Sequence, residues 1–376
     1  MPVATIRMTT PEHSFPNSHQ SQEPSLDIAL PPSFCAMRVT RTKLRSMRRT
    51  LNEINPNKTK DFDWRQGHSV VYRLTDKKTV GTFLLSDRLW ISLLLSLLSA
   101  NVTAQDRKVD PTWLRRSVPE VKEVQTDLSS PTCHYKPIFG TGDPGSRILR
   151  SVSRFAEVSI DAGGSCQTVV RDREEELDFV IEGTGTLAYA DETHPLRAKD
   201  FTYLAPGVKH GVANNSSKPL RVLIMDFKIP AKKVLNPAPA HPRVINMDDV
   251  KEETVSGHPD SVLYKLLVGP RGATRDAIDD AYVVTSLFLM DFAPGGTNFP
   301  HHHETAEEIY LVIEGEGEMV AGGGMDGVEG RHPAKPGDAY YFRSNCTVGF
   351  YNQNKPGAKA YILAVRSAIP LSQEED

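Results

Sequence analysis

From about residue 118 onward, the hydrophobic positions of the chain fall in short runs that are separated by Gly, Pro and Asp. Short apolar runs between turn-forming residues predict β-strands joined by turns. The 376 residues include 27 Pro and 26 Gly, and this composition favours the same structure. We therefore expect an all-β protein that is long enough for two or three domains, each with a sizeable core.

Two segments of this region repeat one pattern. Glu176 is followed by LDFVIE and Gly183, and Glu308 is followed by IYLVIE and Gly315. Both segments continue to an acidic residue and then to an asparagine, at Asp200 and Asn214 and at Asp338 and Asn352. An internal repeat of this size predicts two β-barrels of the same kind. The Pro-rich stretch 228–244 is expected to connect them.

The first 83 residues differ from the rest of the chain in composition. They hold 13 Lys or Arg and 7 Asp or Glu, a net charge of +6, whereas the remainder carries −9. They show no sustained period of 2 or 3.6 residues, so we expect 1–83 to be a disordered basic extension. The total formal charge of −3 gives no reason to expect nucleic-acid binding.

Residues 84–105 have the features of a secretory signal peptide. Arg88 precedes an apolar run, and the small residues of V102-T103-A104 suit a signal peptidase. The run is too short to cross a ~30 Å hydrocarbon core, and its leucines lie on all sides, which disfavours the alternative of a buried amphipathic helix. Because a signal peptide belongs at an N-terminus, we hypothesise that translation begins near residue 84. Export would also permit one disulfide among the four widely spaced cysteines.

The second repeated segment resembles the first motif of the cupin superfamily, G-x5-H-x-H-x(3,4)-E-x6-G. The match runs from Gly295 through His301, His303 and Glu308 to Gly315. Cupins are antiparallel double-stranded β-helix barrels of the jelly-roll type, and the resemblance extends over roughly 140–228 and 275–366. It implies a bicupin with two tandem barrels, which we place at 106–235 and 236–376.

The residues of this motif also have the chemistry of a metal site. Residues two apart in a strand point to one face, so His301 and His303 are expected to project inwards together. Glu308 begins the next strand and can approach from beside them. Two imidazoles and a carboxylate suit one divalent ion of Mn, Fe, Ni or Zn, and Glu308 could also act as a catalytic proton acceptor. A solvated histidine run in a loop is the alternative.

The second cupin motif, which supplies a further histidine in the family, is incomplete in this half. Alignment on Gly349 and Asn352 places Val348 at the histidine position. Water or a substrate could fill the vacant position of the metal. Cys346 is an alternative ligand, although a small buried hydrophobic residue is the simpler interpretation. His332 is a weaker candidate.

The first half departs from the family pattern in the complementary way. It keeps Glu176 and the second-motif histidine, His210, but Val169 and Arg171 occupy the positions of the two motif histidines. An arginine beside Glu176 would repel a metal ion and pair with the carboxylate. We therefore expect this barrel to hold no metal. Arg171 and His210 could instead bind an anionic group, or serve only in structural ion pairs.

Aromatic residues of the second half could form an apolar pocket around the metal. The candidates for substrate binding are Phe299, Tyr310, Tyr341, Phe350 and, near the barrel mouth, Arg343 as a partner for a carboxylate. Core packing is the alternative for each aromatic residue, and a solvent-facing position is the alternative for Arg343.

The resemblance implies two classes of function. One is a secreted or periplasmic bacterial metalloenzyme that acts on a small molecule by dioxygenation, decarboxylation, isomerisation or hydrolysis. Ureidoglycine aminohydrolase is similar in its second-barrel metal and its missing second-motif histidine, but its ligand pattern begins with a glutamate that this chain lacks. The other class is a non-catalytic binding or structural bicupin. A homodimer is expected from the family, and we expect no transmembrane span.

Overall fold

The computed structural model describes residues 110–323 and 329–370, so the predicted basic extension and signal peptide lie outside the described residues. Two short 3-10 helices, Val118–Glu120 and Met247–Asp249, accompany a large number of strands. No α-helix occurs within the described ranges. The prediction of an all-β protein is confirmed.

The eleven strands between residues 113 and 246 include the ten that build the first barrel. In chain order they are β1 (Trp113–Ser117), β2 (Cys133–Gly140), β3 (Val152–Ile160), β4 (Val169–Val170), β5 (Glu174–Glu182), β6 (Thr184–Tyr189), β7 (Glu192–Arg197), β8 (Asp200–Leu204), β9 (Lys209–Ala213), β10 (Leu220–Lys228) and β11 (Arg243–Asn246). Apart from β1, they build a sheet in the order β11-β8-β5-β10-β3-β2 and a second sheet in the order β4-β9-β6-β7.

The second half repeats this arrangement. Its strands are β12 (Glu252–Glu253), β13 (Val262–Pro270), β14 (Ile278–Ala281), β15 (Val284–Phe292), β16 (Ala306–Glu314), β17 (Gly317–Gly322), β18 (Glu329–Ala334), β19 (Asp338–Phe342), β20 (Thr347–Asn352) and β21 (Ala360–Ala368). The large sheet has the order β1-β19-β16-β21-β15-β13-β12, with β14 against β13, and the small sheet has the order β18-β17-β20. Since β19-β16-β21-β15-β13 matches β8-β5-β10-β3-β2, the chain contains two tandem barrels of one kind, as predicted.

Two strands are exchanged between the barrels. β1 pairs antiparallel with β19 of the second barrel, and β11 pairs antiparallel with β8 of the first. Each is the leading strand of its own half and is followed by a 3-10 helix. The expected division at residue 235 therefore separates both strands from the sheets that they complete. The pairing joins residues far apart in sequence, which the local pattern could not reveal.

The central strands β5 and β16 are buried on both faces because they lie between the barrel interior and the other barrel. In β16, Ile309 and Leu311 join a core cluster that contains residues of both barrels. Tyr310 and Val312, on the opposite face, pack inside the second barrel. This two-residue alternation is the one expected of a strand. It decides which side chains can reach a site inside the barrel.

Two buried carboxylates fasten the barrels to each other in a reciprocal manner. Glu175 of β5 accepts hydrogen bonds from the backbone N–H groups of Tyr282, Val283 and Val284, at 2.5, 2.8 and 2.7 Å. Glu307 of β16 accepts from backbone N–H groups at 150–152, at 2.6 to 3.3 Å. Each glutamate precedes the motif glutamate of its barrel by one residue and therefore points to the opposite face.

A disulfide joins Cys133 of β2 to Cys166 in the first barrel. It closes a loop with a sequence separation of 33 residues. The sequence alone left the pairing of the cysteines open, since their spacing follows no known framework.

Candidate metal centre

The structure brings His301, His303 and Glu308 together in the second barrel. Their ligand atoms, one from each residue, all lie within 4.8 Å of one another. Glu308 belongs to β16 and is 2% exposed, whereas the histidines are half-buried in the segment that precedes this strand. We expected a strand here, but the segment that carries the two histidines is not a regular strand. Two isolated bridges, Thr297 with Tyr351 and His301 with Val348, attach it to β20. The backbone hydrogen bonds between His301 and Val348 measure 2.9 and 2.8 Å.

The protonation of these groups is suited to binding a cation. His301 Nδ1 donates a hydrogen bond to the Phe299 carbonyl at 2.8 Å, which leaves the lone pair on Nε2. Burial lowers the pKa of His301 and favours its neutral form. Burial would raise the pKa of Glu308, but His303, with Nε2 at 3.2 Å from Oε2, and Arg366 hold that pKa below its ordinary value.

One oxygen of Glu308 supports the presence of an ion at this position. Oε2 is buried and makes no hydrogen bond of acceptable geometry with any described residue. A buried carboxylate oxygen without a partner is costly, and a divalent cation would compensate that cost. Two imidazoles and one carboxylate form a donor set that suits Mn, Fe, Ni or Zn. The residues present therefore fit a divalent metal ion.

The other candidate ligands lie elsewhere. Val348 is directly opposite His301 and offers no ligand atom. Cys346 is buried in the apolar core of the second barrel, where its Sγ donates to the Gly322 carbonyl at 3.3 Å. His332 stacks on Trp113, with ring centroids 4.4 Å apart. Neither Cys346 nor His332 belongs to the ligand cluster.

Three of the residues expected to bind substrate are associated with this barrel interior, but in different ways. Tyr310 is buried, and its hydroxyl accepts a hydrogen bond from Asn298 at 3.0 Å. Phe350 is buried and packs against Phe292, with ring centroids 4.9 Å apart. Phe299 is 55% exposed and has a left-handed backbone with φ of 52°. Its contact with the site is made by its carbonyl and not by its ring.

The two remaining candidates, Tyr341 and Arg343, make no contact with the candidate ligands among the described residues. Tyr341 points to the face of β19 opposite to the metal centre, because side chains alternate along a strand. There its hydroxyl donates to Glu307 at 2.6 Å, between the two barrels. Arg343 follows β19 and affects Tyr341 electrostatically. Among the described residues, no hydrogen bond or ion pair joins Arg343 to the candidate ligands. Its role as a partner for a substrate carboxylate stays a prediction.

Sequence reasoning missed three residues that lie next to the cluster. Arg366 of β21 is paired with Glu308, and its Nη1 lies 3.4 Å from His303 Nε2. Tyr264 has a buried hydroxyl without a hydrogen-bond partner among the described residues. His258 lies in the loop before β13, with its ring centroid 5.3 Å from that of His301. The only sign of Arg366 in the sequence is that a charged residue stands in an otherwise apolar strand. Its place beside Glu308 depends on strand register, which cannot be read from the sequence.

In the first barrel, a network of ion pairs occupies the equivalent position. Val169 pairs with His210 in the same register in which His301 faces Val348, which confirms the alignment of the two halves. Arg171 Nε lies 3.2 Å from Asp226 and 3.8 Å from Glu176. His210 Nε2 lies 3.1 Å from Glu176. The guanidinium of Arg171 thus occupies the place of a metal ligand.

Comparisons with known proteins agree with this fold. The family model of the cupin domain matches residues 156–226 and 288–364. Among solved structures, a Pseudomonas aeruginosa protein provisionally described as glyoxylate-induced gives a TM-score of 0.56 at 15% identity, covering 71% of this chain and 95% of its own. Protein YlbA from E. coli gives 0.52 at 14% identity, covering 71% and 97%. Oxalate decarboxylase from Lactobacillus farciminis, in complex with formate, gives 0.50 at 12% identity, covering 69% and 86%.

These observations define the chain as an all-β protein with two cupin domains. The two matched regions, one in each barrel, support a bicupin architecture of the cupin type. No curated protein sequence matches the chain. Within the described residues, no helix is long and apolar enough to cross a membrane.

Proposed function

We propose that this bicupin is a metal-dependent enzyme that acts on a small carboxylate molecule in its second barrel. The observation that carries the proposal is the cluster of His301, His303 and Glu308, whose ligand atoms all lie within 4.8 Å of one another. Nothing in the barrel fold itself requires two imidazoles to converge on a buried carboxylate. The candidate reactions remain dioxygenation, decarboxylation, isomerisation and hydrolysis.

The residues around the cluster support chemistry on an oxygen-rich substrate. A bound divalent metal would supply Lewis acidity and open coordination positions for substrate oxygens. Glu308, whose pKa is held low, is ionised at neutral pH and can accept a proton. The hydroxyl of Tyr264 is buried without a partner and can donate a hydrogen bond to a bound group.

Arg366 supports a carboxylate as the substrate class. Its Nε donates to Thr285 Oγ1 at 3.2 Å, which holds the guanidinium beside the cluster, and its Nη1 lies 3.4 Å from His303 Nε2. The positive charge of a divalent metal together with this guanidinium would exceed the single negative charge of Glu308. An anionic substrate would restore the balance, and a guanidinium binds carboxylates with matched geometry. Arg366 therefore takes the role that the sequence suggested for Arg343.

Elemental analysis of the purified full-length protein tests the metal site. We expect about one divalent transition metal per chain, and its loss in the His301→Ala/His303→Ala double variant. His302→Ala is the matched control, because His302 is exposed between the two ligands. Absence of metal after native purification and after reconstitution would refute the proposal. The non-catalytic bicupin, in which Val348 has removed the fourth ligand, would then replace it.

The carboxylate class is tested separately on metal-loaded protein. Oxalate and formate serve as probes, and their binding is measured by calorimetry in the wild type and in Arg366→Gln. We expect the variant to weaken binding by about tenfold or more, the effect of losing a charge-assisted hydrogen bond. Equal affinities in both proteins would exclude Arg366 as the carboxylate partner while leaving the metal site intact.

Export to an oxidising compartment is part of the same proposal. The Cys133–Cys166 disulfide supports it, since disulfides persist mainly in secreted and periplasmic proteins. Cleavage of the predicted signal peptide after Ala104 would place the mature N-terminus at Gln105. N-terminal sequencing of the exported protein tests this, and a mature end well before Gln105 would refute it.

A further inference from the structure

We propose that His258, from the loop before the second barrel's first long strand, is the fourth protein ligand of the metal. This inference rests on the proposed metal site and goes beyond the three motif residues. The position that faces His301 is occupied by Val348, which has no ligand atom, so the vacancy cannot be filled from β20. A histidine from a different element lies next to the site instead.

The first support is the distance between the imidazole rings. The centroids of His301 and His303, both members of the ligand cluster, are 5.0 Å apart in an edge-on arrangement with an interplanar angle of 80°. The centroids of His258 and His301 are 5.3 Å apart, with an angle of 77°. His258 thus bears nearly the same relation to His301 as the second ligand does. Imidazoles that share one metal ion must approach each other in this way.

The second support is the orientation of the ring nitrogens. His258 Nδ1 lies 3.2 Å from the Asn298 carbonyl, and His301 Nδ1 lies 2.8 Å from the carbonyl of the next residue, Phe299. A carbonyl can only accept, so both Nδ1 atoms carry the proton and both Nε2 atoms keep a lone pair. This carbonyl-anchored imidazole is the usual arrangement of a metal-ligating histidine.

The supporting backbone is itself fixed in place. Asn298 is 2% exposed, its side chain donates to the Tyr310 hydroxyl at 3.0 Å, and it accepts from the backbone N–H of Phe350 at 2.8 Å. Phe299 adopts a left-handed backbone, which is rare for a residue with a side chain and is found where function requires it. This short turn presents two successive carbonyls to the two imidazoles.

His258 belongs to the loop between β12 and β13 and not to a strand of the sheet. The cluster of ligand atoms within 4.8 Å consists of His301, His303 and Glu308, and His258 lies outside it. His258 is half-buried, and its backbone N–H closes a turn onto the Val255 carbonyl at 3.1 Å. Coordination therefore requires the ring of a loop residue to move inwards, which costs less than moving a residue of the sheet.

The test measures metal affinity and ligand number on the full-length protein, without reference to activity. The protein is stripped of metal and titrated with Zn²⁺ in competition with a chromophoric chelator. We expect His258→Ala to lower the Zn²⁺ affinity by at least tenfold, the lower end of the range for losing even an indirect partner of a metal. His302→Ala, which removes an exposed histidine from the same region, should leave the affinity within about twofold of the wild type.

X-ray absorption of the Zn²⁺-loaded wild type counts the imidazole ligands and does not depend on the folding of any variant. Three imidazoles in the wild type and two in His258→Ala would support the proposal. Two imidazoles in the wild type would overturn it, even if His258→Ala lowered the affinity, because His258 would then act without contacting the metal. If the wild type has two imidazoles and His301→Ala/His303→Ala loses Zn²⁺ binding, the metal site stands and only the assignment of His258 is overturned. Absence of Zn²⁺ binding in the wild type would overturn the metal site as well.

Discussion

Replacement of Glu307 by glutamine should weaken the junction between the two barrels. The carboxylate is fully buried and accepts five hydrogen bonds. Oε1 accepts from the Arg150 N–H and from the Tyr341 hydroxyl, both at 2.6 Å. Oε2 accepts from the N–H and the hydroxyl of Ser151, both at 2.9 Å, and from the Val152 N–H at 3.3 Å. Four of these five donors belong to the first barrel, and the carboxylate that accepts from them belongs to the second.

The size of the destabilisation follows from the hydrogen-bond donors that lose their acceptor when glutamine replaces Glu307. In either orientation the amide places an NH2 group where an oxygen accepted, and at least one backbone N–H then loses its acceptor. The hydroxyls of Ser151 and Tyr341 can rotate and accept from the amide, so they soften the change. One buried unsatisfied N–H costs about 1–3 kcal/mol, and the lost charge assistance adds about 1 kcal/mol. We expect a destabilisation of about 3 kcal/mol, or roughly 6–12 °C in Tm for a protein of this size.

Denaturant titration followed by circular dichroism, with a thermal scan beside it, measures this effect. Glu304→Gln is the matched control, because Glu304 is an exposed glutamate in the segment just before β16. The control should change the free energy of unfolding by less than about 0.5 kcal/mol. If Glu307→Gln and Glu304→Gln had equal stabilities, the carboxylate would not be holding the barrels together and the reasoning would be refuted.

Three further predictions concern stability. Burial would lower the pKa of His210, but Glu176 raises it above 6.5; the pKa of Glu176, which burial would raise, is held at about 2, below 4.5. The pair should therefore stabilise the fold most between about pH 4.5 and 6.5. Its contribution should fall as the pH rises through the pKa of His210, and also as the pH drops towards 2. His210→Gln should flatten the alkaline fall in denaturant titrations at several pH values, and an unchanged profile would contradict this. Reduction of the disulfide, or Cys133→Ser/Cys166→Ser, should cost about 3–4 kcal/mol in chemical denaturation because a loop of this length is released, and equal midpoints would argue against that bond. Tyr341→Phe removes one of five donors without leaving a backbone group unpaired, so it should cost only about 1 kcal/mol in the same assay, and a loss equal to that of Glu307→Gln would contradict our account of the junction.

The parts of the fold that the sequence predicted are those encoded locally. The two repeated segments lie in short stretches of chain, and their alternation of apolar residues is sufficient to identify strands and to align Val169 with His301. The metal cluster is local in the same sense, because His301, His303 and Glu308 lie within eight residues of one another in the sequence. A turn and the start of one strand bring them close together, and backbone hydrogen bonds with Val348 of β20 hold His301 in place.

The parts that the sequence did not predict depend on pairing across long separations. The exchange of β1 and β11 between the barrels joins residues that no local pattern connects. Arg366 reaches the cluster only through the register of β21 on β16. Tyr341 was misplaced because an aromatic residue in a strand fits either face, and the parity of β19 is set by its neighbours. Long-range register therefore decides the surroundings of the site, while the local motif decides its centre.

The charges at equivalent positions explain why the two barrels differ in their capacity for metal. In the first barrel the motif glutamate is paired in register with Asp226, and the guanidinium of Arg171 lies between these two carboxylates. That cation and Arg154, whose Nη1 lies 3.3 Å from Asp226, offset the two carboxylates from within the chain, so an additional metal ion would meet like charge in a buried space. In the second barrel the motif glutamate is paired with Arg366, and the imidazole of His303 takes the place of Arg171. A divalent ion there leaves an excess of positive charge that only an anion from outside can balance. On the proposed function, the first barrel offsets its buried carboxylates with its own cations, whereas the second would do so with a metal ion and an anionic substrate.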